Sequence, residues 1–120
     1  MAGSLRKKQI LKKKNILELP KYRKFRNEFF ENLYSSVNVK IEKIISKGNI
    51  TPLGKWICQA HDEWVVLLQG KADLRFENFT IRLGKGDYLF IPADTKHSID
   101  YTSSKPLCIW LAIHINRIKS

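Results

Sequence analysis

The chain has 120 residues, a length that suits one domain with one modest core. Its 43% hydrophobic and 11% aromatic content is typical of a globular protein and excludes a disordered one. No apolar run reaches the roughly 18 residues needed to cross a bilayer, and the basic start lacks the apolar core of a signal peptide. We therefore expect a cytoplasmic protein without a membrane span.

The net charge of +11 is concentrated at the beginning of the chain. Residues 1–26 contain ten Lys and Arg side chains and one acid, Glu18, whereas the remainder is close to neutral. A basic segment can bind nucleic acid through counterion release, but no aromatic platform or recognition helix accompanies these lysines. We predict a partly flexible basic arm over residues 1–24, with nucleic acid as its lowest-ranked partner, followed by a single domain over residues 25–120.

The first predicted elements lie between the arm and the middle of the chain. Residues 16–20 form a short apolar clip, ending in proline, that we expect to pack on the domain. Four large apolar side chains follow at helical spacing and predict a short N-terminal helix over residues 25–33. They are Phe25, Phe29, Phe30 and Leu33.

After residue 36 the apolar period changes from that of a helix to that of a strand. Val37, Val39 and Ile41 alternate with polar residues, which predicts a first strand continuing to Ile45. Further runs, separated by glycine, proline or asparagine turns, predict strands over residues 56–60, 64–68, 72–76, 79–83, 88–91, 97–101 and 107–115. The connections are too short for crossover helices, so the pattern predicts an all-β antiparallel barrel or sandwich.

Two blocks of this sequence carry a recognisable pattern. The later block runs from Gly86 through an apolar strand to Pro92, and His97 begins the next strand. The earlier block is Gln59-Ala60-His61-Asp62-Glu63-Trp64 and ends at Gly70. Together they resemble the two motifs of the cupin superfamily, and especially a subgroup of small single-domain cupins with a Q-x-x-D-E-W first motif. The resemblance covers about residues 37–115 and implies a cupin-like antiparallel β-barrel, or jelly roll.

The second block fits its family motif, G-x5-P-x-G-x2-H-x3-N, better than the first block fits its own. Gly86, Pro92 and His97 lie at the expected spacing, whereas Asp94 replaces the inner glycine and Tyr101 the final asparagine.

The first family motif is G-x5-H-x-H-x3-4-E-x6-G, and this chain keeps only its second half. Glu63 and Gly70 are in register, but Ile57 and Gln59 occupy the two histidine positions. The resemblance therefore implies a fold more clearly than a reaction.

Three imidazoles and a carboxylate in a cupin barrel bind a divalent first-row metal. By resemblance, Glu63 and His97 are predicted to ligate Zn, Fe, Mn or Ni, with Gln59 and His61 completing the set. The alternative is a metal-free pair, in which Glu63 and His97 hydrogen-bond across the barrel. Such a dyad could still perform acid–base chemistry, because each group would shift the pKa of the other.

Aromatic and imidazole side chains elsewhere in the strands are candidates for contact with a small organic ligand. For the tryptophans the competing interpretation is a core position, and for the last histidine a surface position. The candidate ligand-binding residues are Trp56, Trp64, Tyr88, Trp110 and His114.

These candidate residues predict a protein that binds a small molecule. If the protein is an enzyme, the prediction is a metal-dependent oxygenase or isomerase. The alternatives are a non-catalytic ligand sensor without metal, and a nucleic-acid-binding protein that uses the basic arm. A homodimer is a further expectation from the resemblance. Cys58 and Cys108 lack the close paired spacing of a zinc site and are predicted to be reduced, buried thiols.

Overall fold

The computed structural model describes residue 7, residues 10–21 and residues 28–117, and these residues form two antiparallel β-sheets. The eight strands are β1 (Phe29–Ser35), β2 (Val39–Ser46), β3 (Asp62–Gln69), β4 (Ala72–Phe76), β5 (Thr80–Leu83), β6 (Tyr88–Ile91), β7 (His97–Thr102) and β8 (Cys108–Ile115). One sheet has the order β1-β2-β8-β3-β6 and the other β5-β4-β7. The predicted all-β antiparallel fold is confirmed. Within the same residues, no helix is long and apolar enough to span a bilayer.

Strand β8 lies between β2 and β3 and sets which side chains share the inner face of the larger sheet. His114 is directly opposite Lys40 on β2 and Glu63 on β3. Directly opposite residues project to the same side of a sheet, so these three side chains share one face. Four residues earlier on β8, Trp110 lies on that same face.

The core fills one half of the space between the sheets. Its buried members, at most 4% exposed, are Val65, Leu67, Ala72, Leu74, Leu83, Ile91, Cys108, Trp110 and Ala112. Towards the other end, alternate positions become polar, with Glu63 before Val65 on β3 and His114 after Ala112 on β8. Polar groups therefore replace core packing at one end of the barrel.

The segment that precedes β1 lies against part of the outer face of β1 and β2. Lys43 of β2 is only 4% exposed, and its Nζ donates a hydrogen bond to the backbone carbonyl of Glu18. Ile16 and Leu19 border the same surface pocket as Phe29. The predicted apolar clip over residues 16–20 therefore does lie against the sheet.

The predicted helix over residues 25–33 is wrong for residues 29–33, which belong to β1, and residues 25–27 lie outside the described residues. Phe29 and Phe30 pair with Ile45 and Ile44 of β2. A spacing of four residues, as between Phe29 and Leu33, fits a helical period and a period of two equally well. The segment is a strand and not a helix because it pairs with β2, a contact that the local sequence pattern does not contain.

The predicted strand over residues 56–60 is also wrong. Only Ile57 is paired, in an isolated bridge with His97, and the rest of the segment is irregular. The segment nonetheless lies alongside the start of β7. Seven of the eight predicted strands are therefore observed. The eighth predicted strand, over residues 56–60, does not form, and the eighth observed strand is β1, which was not predicted.

Both cysteines are free thiols, as predicted for a reduced protein. Cys108 is buried, whereas Cys58 is exposed because its segment does not join a sheet. The expectation of a buried thiol is therefore right for Cys108 and wrong for Cys58.

Candidate functional site

A cavity of about 240 Å³ lies between the sheets, at the end where the inner face becomes polar. Its walls are mostly apolar and consist of Phe30, Ile44, Ile57, Val65, Leu74, Ile91, Ile99 and Trp110. Its polar lining consists of Glu28, Glu42, Gln59, Glu63, His97 and His114. An apolar chamber with a few convergent polar groups is the usual form of a small-molecule site.

Backbone hydrogen bonds hold the two sequence blocks together at this cavity. Ile57 and His97 exchange both of their N–H···O bonds, at 2.7 and 3.0 Å. The N–H of Asp94 donates to the carbonyl of Gln59 at 2.7 Å. The loop between β6 and β7 is therefore tied to the segment before β3, which brings His97 and Gln59 to one cavity.

Asp94 occupies the position where the resembled motif has a glycine, and it adopts that residue's conformation. Its φ is +61°, in the left-handed region that glycine reaches without cost and that aspartate tolerates better than most residues. The departure from the motif therefore leaves the turn before His97 intact.

The imidazole of His97 has one defined tautomer. Its Nδ1 lies 2.9 Å from the backbone carbonyl oxygen of Thr95, which can only accept, so Nδ1–H is the donor. In the neutral ring, Nε2 then carries the free lone pair. His97 is only 5% exposed and lines the cavity, so it offers a hydrogen-bond acceptor there.

Glu63 brings a carboxylate to the same cavity. It is opposite His114 on one side and Ile91 on the other, and both of these residues line the cavity. Within residues 28–117 no hydrogen bond or ion pair to its carboxylate is found. The Glu63–His97 hydrogen bond predicted as the metal-free alternative is therefore not formed, although both side chains line one chamber.

A second polar group joins Glu42, His114 and His61. His114 donates from Nε2 to Glu42 Oε1 at 3.1 Å, because a carboxylate accepts. In neutral His114 this leaves Nδ1 as an acceptor for His61 Nε2–H, at 2.9 Å. The other oxygen of Glu42, Oε2, lies 3.3 Å from Lys40 Nζ.

This chain of side chains forms the boundary between the cavity and a groove of about 420 Å³. Glu42, Gln59 and His114 line both spaces, whereas His61 lines only the groove. Its ring turns towards β8 and away from the cavity. His61 was predicted to complete a metal site with Glu63 and His97, and the structure does not bring it to them.

Glu28 and Glu42 are cavity residues that the sequence analysis missed. Glu28 accepts a hydrogen bond from Ser46 at 3.0 Å, close to the start of β1. Alternation alone would place Val39 and Ile41 of β2 inward and Glu42 outward. The adjacent pair Ile44-Ile45 is the signal that could have corrected this, since it indicates a strand buried on both faces.

The donor set does not fit the metal centre that the resemblance implies. In the described part of the chain, no three His, Cys, Asp or Glu side chains are arranged to hold a metal ion. Glu63, His97 and Gln59 line the cavity, but Gln59 offers only a neutral amide and Ile57 cannot ligate. His61 and His114 are committed to each other and to Glu42.

The five predicted ligand-binding residues divide into two groups. Trp110 and His114 line the cavity. Trp64 and Tyr88 pack on each other outside it, with ring centroids 5.5 Å apart, and Trp56 lies under the guanidinium of Arg75. The period of two explains the division for Trp64, because its neighbours Glu63 and Val65 take the inner face.

An ion pair lies near this site, at the start of β3. Arg117 donates hydrogen bonds to the carboxylate of Asp62, and Ala93 N–H donates to the same group at 2.8 Å. The Arg117 and Ala93 hydrogen bonds hold the pKa of Asp62 below its ordinary value, and Asp62 raises the pKa of Arg117. The start of β3, the β6–β7 loop and the end of β8 are thus joined.

Solved structures resemble this chain over most of its length. A "putative mannose-6-phosphate isomerase" from Ralstonia eutropha JMP134 is 31% identical, with a TM-score of 0.82 over 89% of this chain and 100% of the other. A cupin superfamily protein from Desulfitobacterium hafniense DCB-2 is 22% identical, with a TM-score of 0.67 over 80% and 84% of the two chains.

A further resemblance, to an RmlC-like cupin protein from Desulfovibrio desulfuricans, has 19% identity and a TM-score of 0.65 over 88% and 96% of the two chains. At such identities the likeness shows the fold alone. No curated protein matches the chain at a significant level. The cupin domain family model matches residues 51–114, which are more than half of the sequence and contain both motif blocks. The chain therefore belongs to the cupin family.

Proposed function

We propose that this protein binds a small organic molecule in the 240 Å³ cavity, without a metal, through Glu63 and His97. The observation that supports this most directly is the lining itself. Eight apolar side chains surround a carboxylate and an imidazole nitrogen that have no hydrogen-bond partner within residues 28–117. Among the described residues no buried side-chain nitrogen or oxygen lacks a partner, so both groups reach solvent. A ligand that fills the chamber removes apolar surface from water and replaces the water at these two groups with its own polar contacts.

The chemistry open to this pair is proton transfer. Glu63 as a carboxylate and His97 through its Nε2 lone pair are both bases, and each becomes an acid once protonated. Two such groups in one apolar chamber can remove a proton from a bound molecule and return it at another position, which is the elementary step of an isomerase. A non-catalytic ligand sensor would use the same contacts without the proton transfer.

The name of the Ralstonia neighbour raises a phosphorylated sugar as a candidate ligand. Phosphate groups are bound by Arg or Lys side chains, or by backbone N–H groups at helix N-termini. The described cavity lining has no Arg or Lys, but it has three carboxylates, those of Glu28, Glu42 and Glu63. The electrostatics of this cavity therefore argue against a sugar phosphate.

A ligand screen by thermal unfolding tests the proposed cavity function. A compound at 100 times its Kd stabilises the native state by about 2.7 kcal/mol and raises the Tm. Ile99→Phe fills part of the cavity, and Ile50→Phe makes the same change outside the lining. We expect any genuine ligand to stabilise wild type and Ile50→Phe, but not Ile99→Phe. Equal stabilisation of all three proteins would contradict binding in the cavity.

A metal-dependent oxygenase or isomerase is the second candidate function. One observation favours it, since a metal-ligating histidine usually donates its other ring N–H to a carbonyl or carboxylate, as His97 does to Thr95. Metal content per chain, measured on protein purified without a chelating column, separates the candidates. We expect far less than one metal ion per chain. A stoichiometric metal that is lost in the double variant Glu63→Ala, His97→Ala would establish the metal-dependent function instead.

Two expectations about partners remain proposals. For a homodimer, the support is the edge strand β1, where Leu33 and Tyr34 are 42% and 56% exposed. Sedimentation velocity of wild type and Leu33→Lys tests it, and a monomeric wild type would exclude it. For nucleic acid, the support is the charge of residues 1–24. Binding that does not weaken with salt, or that survives removal of residues 1–24, would exclude that arm as the binding segment.

A further inference from the structure

The polar groups of the cavity are biased towards hydrogen-bond acceptors. The Nε2 lone pair of His97 is an acceptor because Nδ1–H is donated to Thr95, and ionised Glu63 can only accept. His114 has already committed its Nε2–H to Glu42. Among the described lining residues, the Gln59 amide and the Trp110 indole Nε1–H bring donors without an assigned partner. A complementary ligand must therefore bring donors for Glu63 and His97.

The three carboxylates of the cavity differ in how their charge is compensated. Glu42 is paired with Lys40 on one oxygen and His114 on the other, and Glu28 accepts from Ser46. Glu63 has neither a cation nor a hydrogen-bond donor within residues 28–117. A ligand that brings a positive charge to Glu63 therefore meets a carboxylate for which residues 28–117 supply no competing partner, and a charge-assisted hydrogen bond there is strong.

The apolar part of the cavity accommodates the body of such a ligand. Trp110 is 3% exposed and contributes to the lining, so its indole offers apolar surface to a ring. An engineered apolar cavity of about 150 Å³ holds one benzene molecule. At about 240 Å³ this cavity has room for one ring with a short side chain that carries a charged group.

We infer that the ligand is a primary amine in its protonated form, with an apolar body of about one ring, bound by its ammonium group to Glu63 and His97. The ammonium donates to the Glu63 carboxylate and to His97 Nε2, and the ring packs against Trp110 and Leu74. This inference rests on the proposed small-molecule function and narrows its ligand class from any organic molecule to an organic cation.

Three ligands of one size and different charge test the inference. They are 2-phenylethylamine, which is protonated at pH 7, 2-phenylethanol, which is neutral, and phenylacetate, which is anionic. Calorimetry gives each Kd, and NMR shifts of the Trp110 indole and the Leu74 methyl groups report whether the ligand occupies the cavity. We expect the amine to bind at least tenfold more tightly than the alcohol, and the carboxylate not to bind measurably.

Variants assign the effect to Glu63. In Glu63→Gln, which keeps the shape and removes the charge, amine affinity falls at least tenfold and the affinity of the alcohol stays within twofold. Glu77→Gln, the same change at an exposed position outside the cavity, leaves all affinities unchanged. Alcohol or carboxylate binding as strong as amine binding overturns the inference and leaves the cavity function standing. If none of the three binds, the inference is overturned, and the broader ligand screen decides the cavity function separately.

Discussion

The Nε2 atom of His61 lies 2.9 Å from the Nδ1 atom of His114, and the two rings meet at an interplanar angle of 80°. This contact continues through His114 Nε2 to the carboxylate of Glu42. Because a carboxylate can only accept, His114 Nε2–H donates to Glu42, and in neutral His114 the Nδ1 atom is left to accept from His61. The wall between cavity and groove is therefore a hydrogen-bonded polar network.

Opposite tautomers are expected for the two histidines that line the cavity. His114 should carry its proton on Nε2, where Glu42 accepts it, and His97 on Nδ1, where Thr95 accepts it. Long-range ¹H–¹⁵N spectra of the neutral rings distinguish the two forms directly. Finding His97 as the Nε2–H tautomer would remove its lone pair from the cavity and contradict the site described above.

Loss of the carboxylate from the Glu42 network should destabilise the fold. Glu42→Ala leaves His114 Nε2–H without its acceptor in a largely buried position, and we expect a loss of about 1–3 kcal/mol in the free energy of unfolding. Glu77→Ala, at an exposed position, should change it by no more than about 0.5 kcal/mol. Urea unfolding measures both. Equal effects of the two changes would mean that the Glu42 network does not contribute to the free energy of unfolding.

Gly70 should be the glycine least tolerant of alanine. Its φ is +95°, and a Cβ there would meet Cys108 Sγ and Ser103 Oγ at 2.8 Å and the Cys108 backbone at 3.0 Å. Gly86 has a similar φ of +89° but open space around it, so Gly86→Ala isolates the conformational cost, about 1–2 kcal/mol. We expect a clearly larger loss for Gly70→Ala in thermal and urea unfolding. A smaller loss of stability for Gly70→Ala than for Gly86→Ala would show that Cys108 and Ser103 move aside to make room for the Cβ.

The Asp62–Arg117 pair should make the folded state less stable as the pH falls. The pKa of Asp62 is lower in the folded than in the unfolded state, because Arg117 and Ala93 donate to its carboxylate. Its stabilising effect is then complete above the unfolded carboxyl pKa of about 3.9, and is lost as the pH falls through the lower, folded value.

Asp62→Asn keeps the acceptor for Ala93 and removes the charge. We expect it to lower the Tm at pH 7 and to approach the wild-type Tm as the solution is acidified below about pH 4. Thermal unfolding followed by circular dichroism from pH 7 to pH 2 measures the difference, with Glu77→Gln as the control. A Tm difference that stays constant over this range would exclude the pair as its origin.

The sequence by itself determined the antiparallel β fold and two members of the site. Alternation of apolar residues identified seven of the eight strands, and the spacing from Gly86 through Pro92 to His97 indicated the cupin arrangement. Glu63 and His97 could be named because they occupy the carboxylate and imidazole positions of the two motifs that the sequence resembles. For the strands and turns local patterns were enough, since the period of a strand and the conformation of a turn are encoded within a few residues.

The tertiary structure decided which of the polar residues meet. His114 contacts His61 and Glu42 although these lie 53 and 72 residues away along the chain, because β8 is inserted between β2 and β3. The same order of strands placed Glu42 in the cavity, kept His61 out of it, and made a strand of residues 29–35. Periodicity gives the face of a strand but not its neighbours, and the neighbours depend on long-range pairing that no local pattern contains.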